Sequence, residues 1–173
     1  MRKYLSAILG AVLFFSVSCE KTETKSDADD RKFISLKLDN RIYLAENPKA
    51  TAYLPKLDDS NPDNDYPVME ITGTTYTGDY ITFKLAVPEL PFHTGPYPSS
   101  ETGNSINIYL ASSSGETLNS GNSGGFTINI TRITSQFVEG VFSGAVQDVS
   151  GSGGTKVVQD GTFRAVLKYQ ESQ

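Results

Sequence analysis

The sequence predicts an all-β domain, an antiparallel β-sandwich or an open β-barrel of about eight to nine strands. Three observations lead to this prediction. Apolar and polar residues alternate with a period of two from Phe33 onward, turn-forming residues separate the apolar runs, and no window outside the N-terminal segment has helical periodicity. Because no helices alternate with the strands, a βαβ architecture is excluded, but the pattern does not choose between a sandwich and a barrel.

The first half of the domain contains six predicted strands. In residues 33–38 the apolar side chains alternate with Ser and Lys, and Asp39 and Asn40 then provide a tight turn. A Thr-Gly-Asp break at residues 77–79 separates two longer runs in the manner of a hairpin. The strands predicted in this half are residues 33–38, 42–44, 50–54, 68–76, 80–87 and 106–111.

The second half contains the clearest pair of strands, residues 126–133 and 137–146, on either side of a turn at 134–136. Apolar and polar residues alternate throughout the first of them. A last strand is predicted at residues 157–167, where the pair Asp160-Gly161 indicates a bend or a bulge. The fifteen glycines of the chain and its Gly/Ser-rich runs are typical of turns that join antiparallel strands.

The N-terminal segment, residues 1–18, has the pattern of a signal peptide. Arg2 and Lys3 give a positive start, residues 5–17 are mostly apolar, and the small residues Ser16 and Ser18 precede Cys19. Thirteen residues span about 20 Å as a helix, which is short of the roughly 30 Å hydrocarbon core of a bilayer. We therefore expect this segment to be cleaved rather than to stay in the membrane.

Cys19 is the only cysteine of the chain, so it cannot form an intramolecular disulfide. Residues 16–19 resemble a bacterial lipobox, with Ser16 where Leu is usual, as in the relaxed lipoboxes of Bacteroidetes lipoproteins. The resemblance implies that the Cys19 thiol takes a diacylglyceryl group, that palmitate or similar chains anchor the protein in the membrane, and that it is a lipoprotein of the outer membrane, on the periplasmic face or the cell surface. An ordinary secretory signal with an incidental cysteine is the alternative.

Residues 19–32 are predicted to be the lipidated cysteine and an acidic, flexible tether, and residues 33–173 a single all-β domain. No large apolar residue occurs between positions 20 and 32, so this segment cannot offset its ordering entropy. Acidic tethers of this kind resemble the export signals of surface-displayed Bacteroidetes lipoproteins, and a solvated spacer facing the periplasm is the alternative.

The charge of the chain argues against nucleic-acid binding. Its net charge is -5, and removal of Arg2 and Lys3 with the signal would leave 13 basic and 20 acidic residues, a net charge of -7. A surface this acidic repels phosphate backbones, and no cluster of Lys and Arg compensates for it.

Several short motifs of the domain occur in order along most of its length. They are FISLKLDNRIY at residues 33–43, ITRI at 130–133, VEGVFSG at 138–144 and VQDGTF at 158–163. Together they resemble small Bacteroidetes lipoproteins of unknown function. The resemblance implies an all-β lipoprotein domain, and it carries no catalytic or binding residues over to this chain.

No catalytic residues are predicted. His93 is the only histidine, no serine lies in a nucleophile-elbow context, and Cys19 is assigned to the lipid. A single histidine also excludes the usual multi-histidine zinc sites. Acidic residues that folding brings within about 5–9 Å of one another would still permit a hydrolase. Tyr76, Tyr80 and Tyr109 have core-like spacing, which predicts packing in the interior.

The proline-rich loop at residues 88–98 is a candidate contact surface. Its four prolines reduce the entropy that is lost on binding, and Phe92 and Tyr97 would offer aromatic faces beside His93. These three residues are the predicted ligand-binding residues. In the alternative interpretation, the rings close the end of the β core and His93 is an ordinary loop residue.

Oxygen-bearing side chains between positions 59 and 70 have the spacing of an EF-hand calcium loop. Crowded carboxylates repel one another unless a cation is present, which is the physical reason to predict calcium here. Asn64 stands where the loop needs Gly, Pro62 stiffens it, and no helix flanks it, so a solvated acidic loop is the alternative. The predicted ligands are Asp59, Asn61, Asp63, Asp65 and Glu70.

Taken as a whole, these features predict a lipid-anchored cell-envelope lipoprotein with a non-catalytic binding or assembly domain. Its expected partners are the membrane, through Cys19, and an envelope protein or a glycan. Two alternatives stay open: an envelope hydrolase or inhibitor-like factor that uses acidic residues, and a structural surface protein.

Overall fold

A computed structural model describes residues 31–58, 60–112, 115–121, 125–150 and 154–171, which belong to one compact unit. This part of the chain contains eleven strands and one turn of 3₁₀ helix at Pro62–Asn64, and it includes no helix with the length and apolar character needed to span a membrane. The strands are β1 (Phe33–Leu38), β2 (Arg41–Glu46), β3 (Lys49–Leu54), β4 (Val68–Thr74), β5 (Tyr80–Ala86), β6 (Gly95–Pro98), β7 (Ser105–Leu110), β8 (Glu116–Asn119), β9 (Phe126–Ile133), β10 (Phe137–Asp148) and β11 (Thr155–Glu171).

All eleven strands belong to one hydrogen-bonded sheet, in the order β2-β1-β11-β3-β4-β5-β7-β8-β10-β9-β6. An additional pairing of β10 with β11 closes seven of them, from β11 through β3, β4, β5, β7 and β8 to β10, into a ring. Neighbours are antiparallel except β11 and β3, which are parallel. The all-β prediction is confirmed, and the closure gives a single sheet that curves around its core.

Strand β11 has three partners. It pairs with both β1 and β10 through residues 158–164, so these two strands lie on its opposite edges, and its last residues, from Val166 to Glu171, pair with β3. Asp160 has a φ of 51°, and the registers with both neighbours shift beside it. This is the bulge that the pair Asp160-Gly161 predicted.

Aromatic rings from opposite sides of the ring of strands fill the core. Phe83 of β5 contacts Phe142 of β10 and Phe163 of β11, with ring centroids 4.6 and 5.5 Å away, although β5 is not a neighbour of either strand. Phe83 and Phe163 are at most 1% exposed. The inward side chains of the alternating pattern therefore meet across the sheet, and each aromatic ring of this kind contributes several kcal/mol of stability.

Two strands were absent from the sequence prediction. Strand β6 contains Pro96 and Pro98, which a central strand would not tolerate, but it lies at the edge of the sheet, where proline is allowed. Strand β8 has four residues, of which Leu118 is the only apolar one. Neither segment has the alternation that identifies a strand, so their pairing depends on the neighbours that the fold provides.

We predict that Gly140→Ala destabilises the domain strongly. A Cβ atom at this position would lie 2.3 Å from the carbonyl oxygen of Asn129 and 2.9 Å from the ring of Phe163, so the strands must move. We expect a loss of about 3 kcal/mol in the free energy of unfolding, measured in urea. The control is Gly78→Ala, which has a φ of +87° but open space, and which should cost about 1 kcal/mol. Equal losses would contradict the steric explanation.

Candidate functional site

Three tyrosines that were predicted to be buried are exposed. Tyr76, Tyr80 and Tyr109 are 97%, 44% and 45% exposed, so the prediction that they belong to the core is wrong. On β5 and β7, alternate positions such as Ile81 and Ile108 point inward, which places Tyr80 and Tyr109 on the outer face. Four tyrosines are exposed in the part of the chain that the structure describes, and these three lie at one end of the sheet.

The strand register aligns these tyrosines with a set of hydroxyl and amide side chains. Tyr80 lies directly opposite Tyr109, and the same row continues to a threonine on each side. The neighbouring row on the same face holds two threonines and two asparagines. We call these eight residues the tyrosine face; they are Thr72, Thr74, Tyr80, Thr82, Asn107, Tyr109, Thr117 and Asn119.

The tyrosine face carries no formal charge, although the protein is acidic. None of its eight side chains is Asp, Glu, Lys or Arg, whereas the chain has 35 such residues. Lys49 borders the face opposite Thr72, and in the next row Glu70 and Lys84 lie opposite one another, so their charges balance. The face is therefore neutral as well as rich in hydrogen-bonding groups.

The two asparagines of the face hold one another in place. The Asn119 Nδ2 atom donates a hydrogen bond to Asn107 Oδ1 at 2.6 Å, and the Asn119 Oδ1 atom accepts one from the backbone N–H of Gly121. Because both amides sit on paired strands, their orientation is fixed by the sheet as well as by these bonds.

A buried carboxylate fixes the end of the sheet beside the tyrosine face. Asp79 is fully buried, and its Oδ2 atom accepts hydrogen bonds from the hydroxyls of Thr77 at 2.7 Å, Ser112 at 3.0 Å and Thr75 at 3.1 Å. Its Oδ1 atom accepts the backbone N–H of Ser112 at 2.9 Å. We call these four residues the Asp79 clamp. It joins the β4–β5 turn to the segment that follows β7.

The Asp79 clamp lies close to both tyrosines along the chain. Asp79 directly precedes Tyr80, and Ser112 follows Tyr109 by three residues, so the clamp fixes the ends of both strands that carry them. Burial raises the pKa of Asp79, but the hydrogen bonds from Ser112, Thr77 and Thr75 outweigh that effect and hold the pKa below its usual value. The carboxylate is thus ionised at neutral pH, and its hydrogen bonds hold the two strand ends together.

We predict that Asp79→Asn lowers the free energy of unfolding at pH 7 by about 1–3 kcal/mol, since one acceptor oxygen is replaced by a donor. The pKa of Asp79 is lower in the folded than in the unfolded state. Its contribution to the free energy of unfolding is therefore fully present above pH 3.8, the ordinary pKa of the group, and is lost as the pH falls below that value. The difference in the free energy of unfolding between wild type and variant, measured in urea from pH 7 to pH 3, should therefore become smaller as the pH falls. Asp160→Asn, at an exposed carboxylate, is the control, and a difference that is independent of pH would contradict the assignment.

The structure buries two of the three residues that were predicted to bind a ligand in the proline-rich loop. Phe92 and Tyr97 are only 4% and 5% exposed, and both pack in the core. The Tyr97 hydroxyl donates to the His93 carbonyl at 2.9 Å and accepts its N–H at 3.2 Å, while burial raises the pKa of Tyr97. The ring faces are therefore not open to a ligand, and His93 is the exposed member of the set.

The residues of the calcium prediction are only partly described. Asp59 and the side chain of Asp63 lie outside the described residues, as does Cys19; Asn61 and Asp65 are exposed, and Glu70 lies on β4 opposite Lys84. Within the described ranges, no three or more His, Cys, Asp or Glu side chains form a group that could hold a metal ion. Calcium binding stays a prediction.

The calcium prediction is tested by melting temperature. If Asp59, Asp63 and their neighbours bind calcium, millimolar CaCl2 raises the melting temperature above that in chelator, because a ligand of the native state stabilises it. A variant with Asp63→Ala should lose the shift while keeping the melting temperature of the calcium-free protein. Identical melting curves with and without calcium would dismiss the site.

Two carboxylates come together around one lysine. The Lys156 Nζ atom lies 2.7 Å from Glu116 Oε2 and 3.2 Å from Asp39 Oδ2, and the hydrogen bond to Glu116 raises the pKa of Lys156 despite the opposing effect of burial. A glycosidase pair flanks a gap that admits the substrate bond. Here an ammonium group occupies that gap, which makes this an ion-pair network that joins β8, β11 and the β1–β2 turn.

A scan against protein-family models, a search of curated proteins and a search of solved structures each find no match to this chain.

Proposed function

We propose that this protein is a lipid-anchored lipoprotein of the bacterial cell envelope whose β domain is a non-catalytic binding or assembly module. The sequence of residues 1–19 carries this proposal: a positive start, a short apolar run and small residues before a single cysteine. The order of the motifs that resemble small Bacteroidetes lipoproteins supports it as well. The anchor would be the diacylglyceryl and acyl groups on Cys19, in the outer membrane.

The length of the segment between the anchor and the domain suits a tethered binding module. Thirteen residues separate Cys19 from Phe33, where β1 begins. Fully extended, they would reach roughly 45 Å. A tether of this length would let the domain contact a partner beyond the lipid headgroups while the lipid keeps it at the membrane.

The side chains of the described residues favour binding over catalysis. The histidine of the chain is a loop residue, and the carboxylates of Asp39 and Glu116 share the ammonium group of Lys156. The tyrosine face, in contrast, offers aromatic and hydrogen-bonding groups to solvent. An envelope hydrolase or inhibitor-like factor and a purely structural surface protein are the competing functions.

We predict that Cys19→Ala moves the protein out of the membrane fraction, because the residue that accepts the acyl chains is missing. Fractionation and mass spectrometry of the mature N-terminus measure this. The matched control is Ser16→Leu, which introduces the usual lipobox residue and should leave lipidation and membrane retention intact. A native product that retains residues 1–18, or that has an unmodified Cys19 thiol, would refute the anchor.

A further inference from the structure

We propose that the tyrosine face is a binding site for neutral carbohydrate. This inference rests on the proposed role of the domain as a binding module, and it names the surface and the chemical class of the ligand. The apolar C–H faces of sugar rings would pack on Tyr80 and Tyr109, and sugar hydroxyls would exchange hydrogen bonds with the amides and hydroxyls around them.

The paired tyrosines supply the apolar part of the site. Side chains on directly opposed residues leave the sheet about 5 Å apart, so Tyr80 and Tyr109 are neighbours on the outer face. A tyrosine ring has only two side-chain torsions, so it offers contact area at a small loss of entropy, and its hydroxyl is a further hydrogen-bonding group. Both rings are nearly half exposed in a row bounded by Thr74 and Thr117.

The second row supplies the polar part of the site. Thr82 and Asn107 are opposite one another beside the tyrosines, and Asn119 continues the row. Amides and hydroxyls both donate and accept hydrogen bonds, which matches the hydroxyl groups of a sugar, each of which is also donor and acceptor. Aromatic faces next to a row of such groups suit a ligand that is itself apolar on its ring face and polar at its edges.

The charge of the face selects a neutral ligand. Phosphate, sulfated or uronic polymers and anionic lipid headgroups need cationic partners, and the eight residues contain none. Outside the eight residues, Lys49 borders the face opposite Thr72, and the next row pairs Lys84 with Glu70. A cationic ligand likewise finds no carboxylate on the face. An uncharged, hydroxyl-rich molecule can be bound there without desolvating a formal charge.

The strand ends and the two amides of the face are ordered before a ligand arrives. The Asp79 clamp fixes the strand ends next to both tyrosines, and the hydrogen bond between Asn107 and Asn119 fixes the amides. Because the strand ends and these amides are already ordered, they lose little freedom when a ligand binds, and more of the contact energy is available for affinity.

A second copy of the chain fits this face less well than a sugar. Stable protein interfaces bury about 800 Å² on each partner around an apolar core. Here the two aromatic side chains are bordered by threonine and asparagine, with Val149 as the exposed apolar residue beyond Thr117. The large apolar residues that flank the tyrosines on each strand point inward. The exposed apolar area therefore suits a small ligand better than a protein partner.

The test uses the full mature protein in a zwitterionic detergent without a sugar headgroup, on immobilised mannan, dextran and pullulan. We expect retention on at least one of these neutral polysaccharides, and Tyr80→Ala and Tyr109→Ala should each weaken the affinity for the corresponding oligosaccharide about tenfold. Tyr80→Phe and Tyr109→Phe keep the ring and should bind within about threefold of wild type. The matched control is Tyr169→Ala, at an exposed tyrosine on β11, which should bind as wild type does.

Urea denaturation of each variant confirms that the domain is folded. Absence of retention on all three polysaccharides, or retention that both alanine variants keep, would overturn the carbohydrate site. If the alanine variants instead abolish a dimer of the wild type and no polysaccharide is retained, the face joins two copies of the chain, which also overturns it. None of these results affects the fractionation test of Cys19, so failure of this site and failure of the proposed lipoprotein are distinguishable.

Discussion

The structure depends on the hydrogen bonding of β11 to three other strands. Its N-terminal half lies between β1 and β10, and its C-terminal end pairs with β3 in parallel. Without the pairing to β10, the sheet would be an open ladder, and its inward side chains would face water instead of one another. The contact of Phe83 with Phe142 and Phe163 exists because closure brings distant strands together. Aromatic burial and backbone pairing therefore stabilise the same closed form.

Closure also determines how the outer surface is divided. When one set of alternate residues on each strand points into the core, the other set must face solvent. The register then decides which outward side chains are neighbours. On β5 and β7 this places two tyrosines opposite one another and a row of amides and hydroxyls beside them. The face that we propose as the carbohydrate site is a consequence of register.

The buried polar groups of the domain lie where strands end. Asp79 satisfies three hydroxyls and a backbone N–H at the β4–β5 turn, and Lys156 joins Asp39 and Glu116 near the β1–β2 turn. Asp79, which is fully buried, is matched by donors, and this is the condition under which a buried charge is tolerated. Both groups connect segments that are far apart in the sequence, so they fix turns that β pairing alone would leave free.

The sequence by itself determined the β class, the Asp39-Asn40 turn, whose residues have φ values of 49° and 62°, and the bulge at Asp160, because local alternation and local backbone preference cause these features. Strands β6 and β8 could not be predicted, since they form only where a neighbour supplies the pairing. The burial of Phe92 and Tyr97 and the exposure of Tyr80 and Tyr109 were decided by tertiary structure. An aromatic residue suits either face of a strand, and only closure of the sheet selects which face becomes the core.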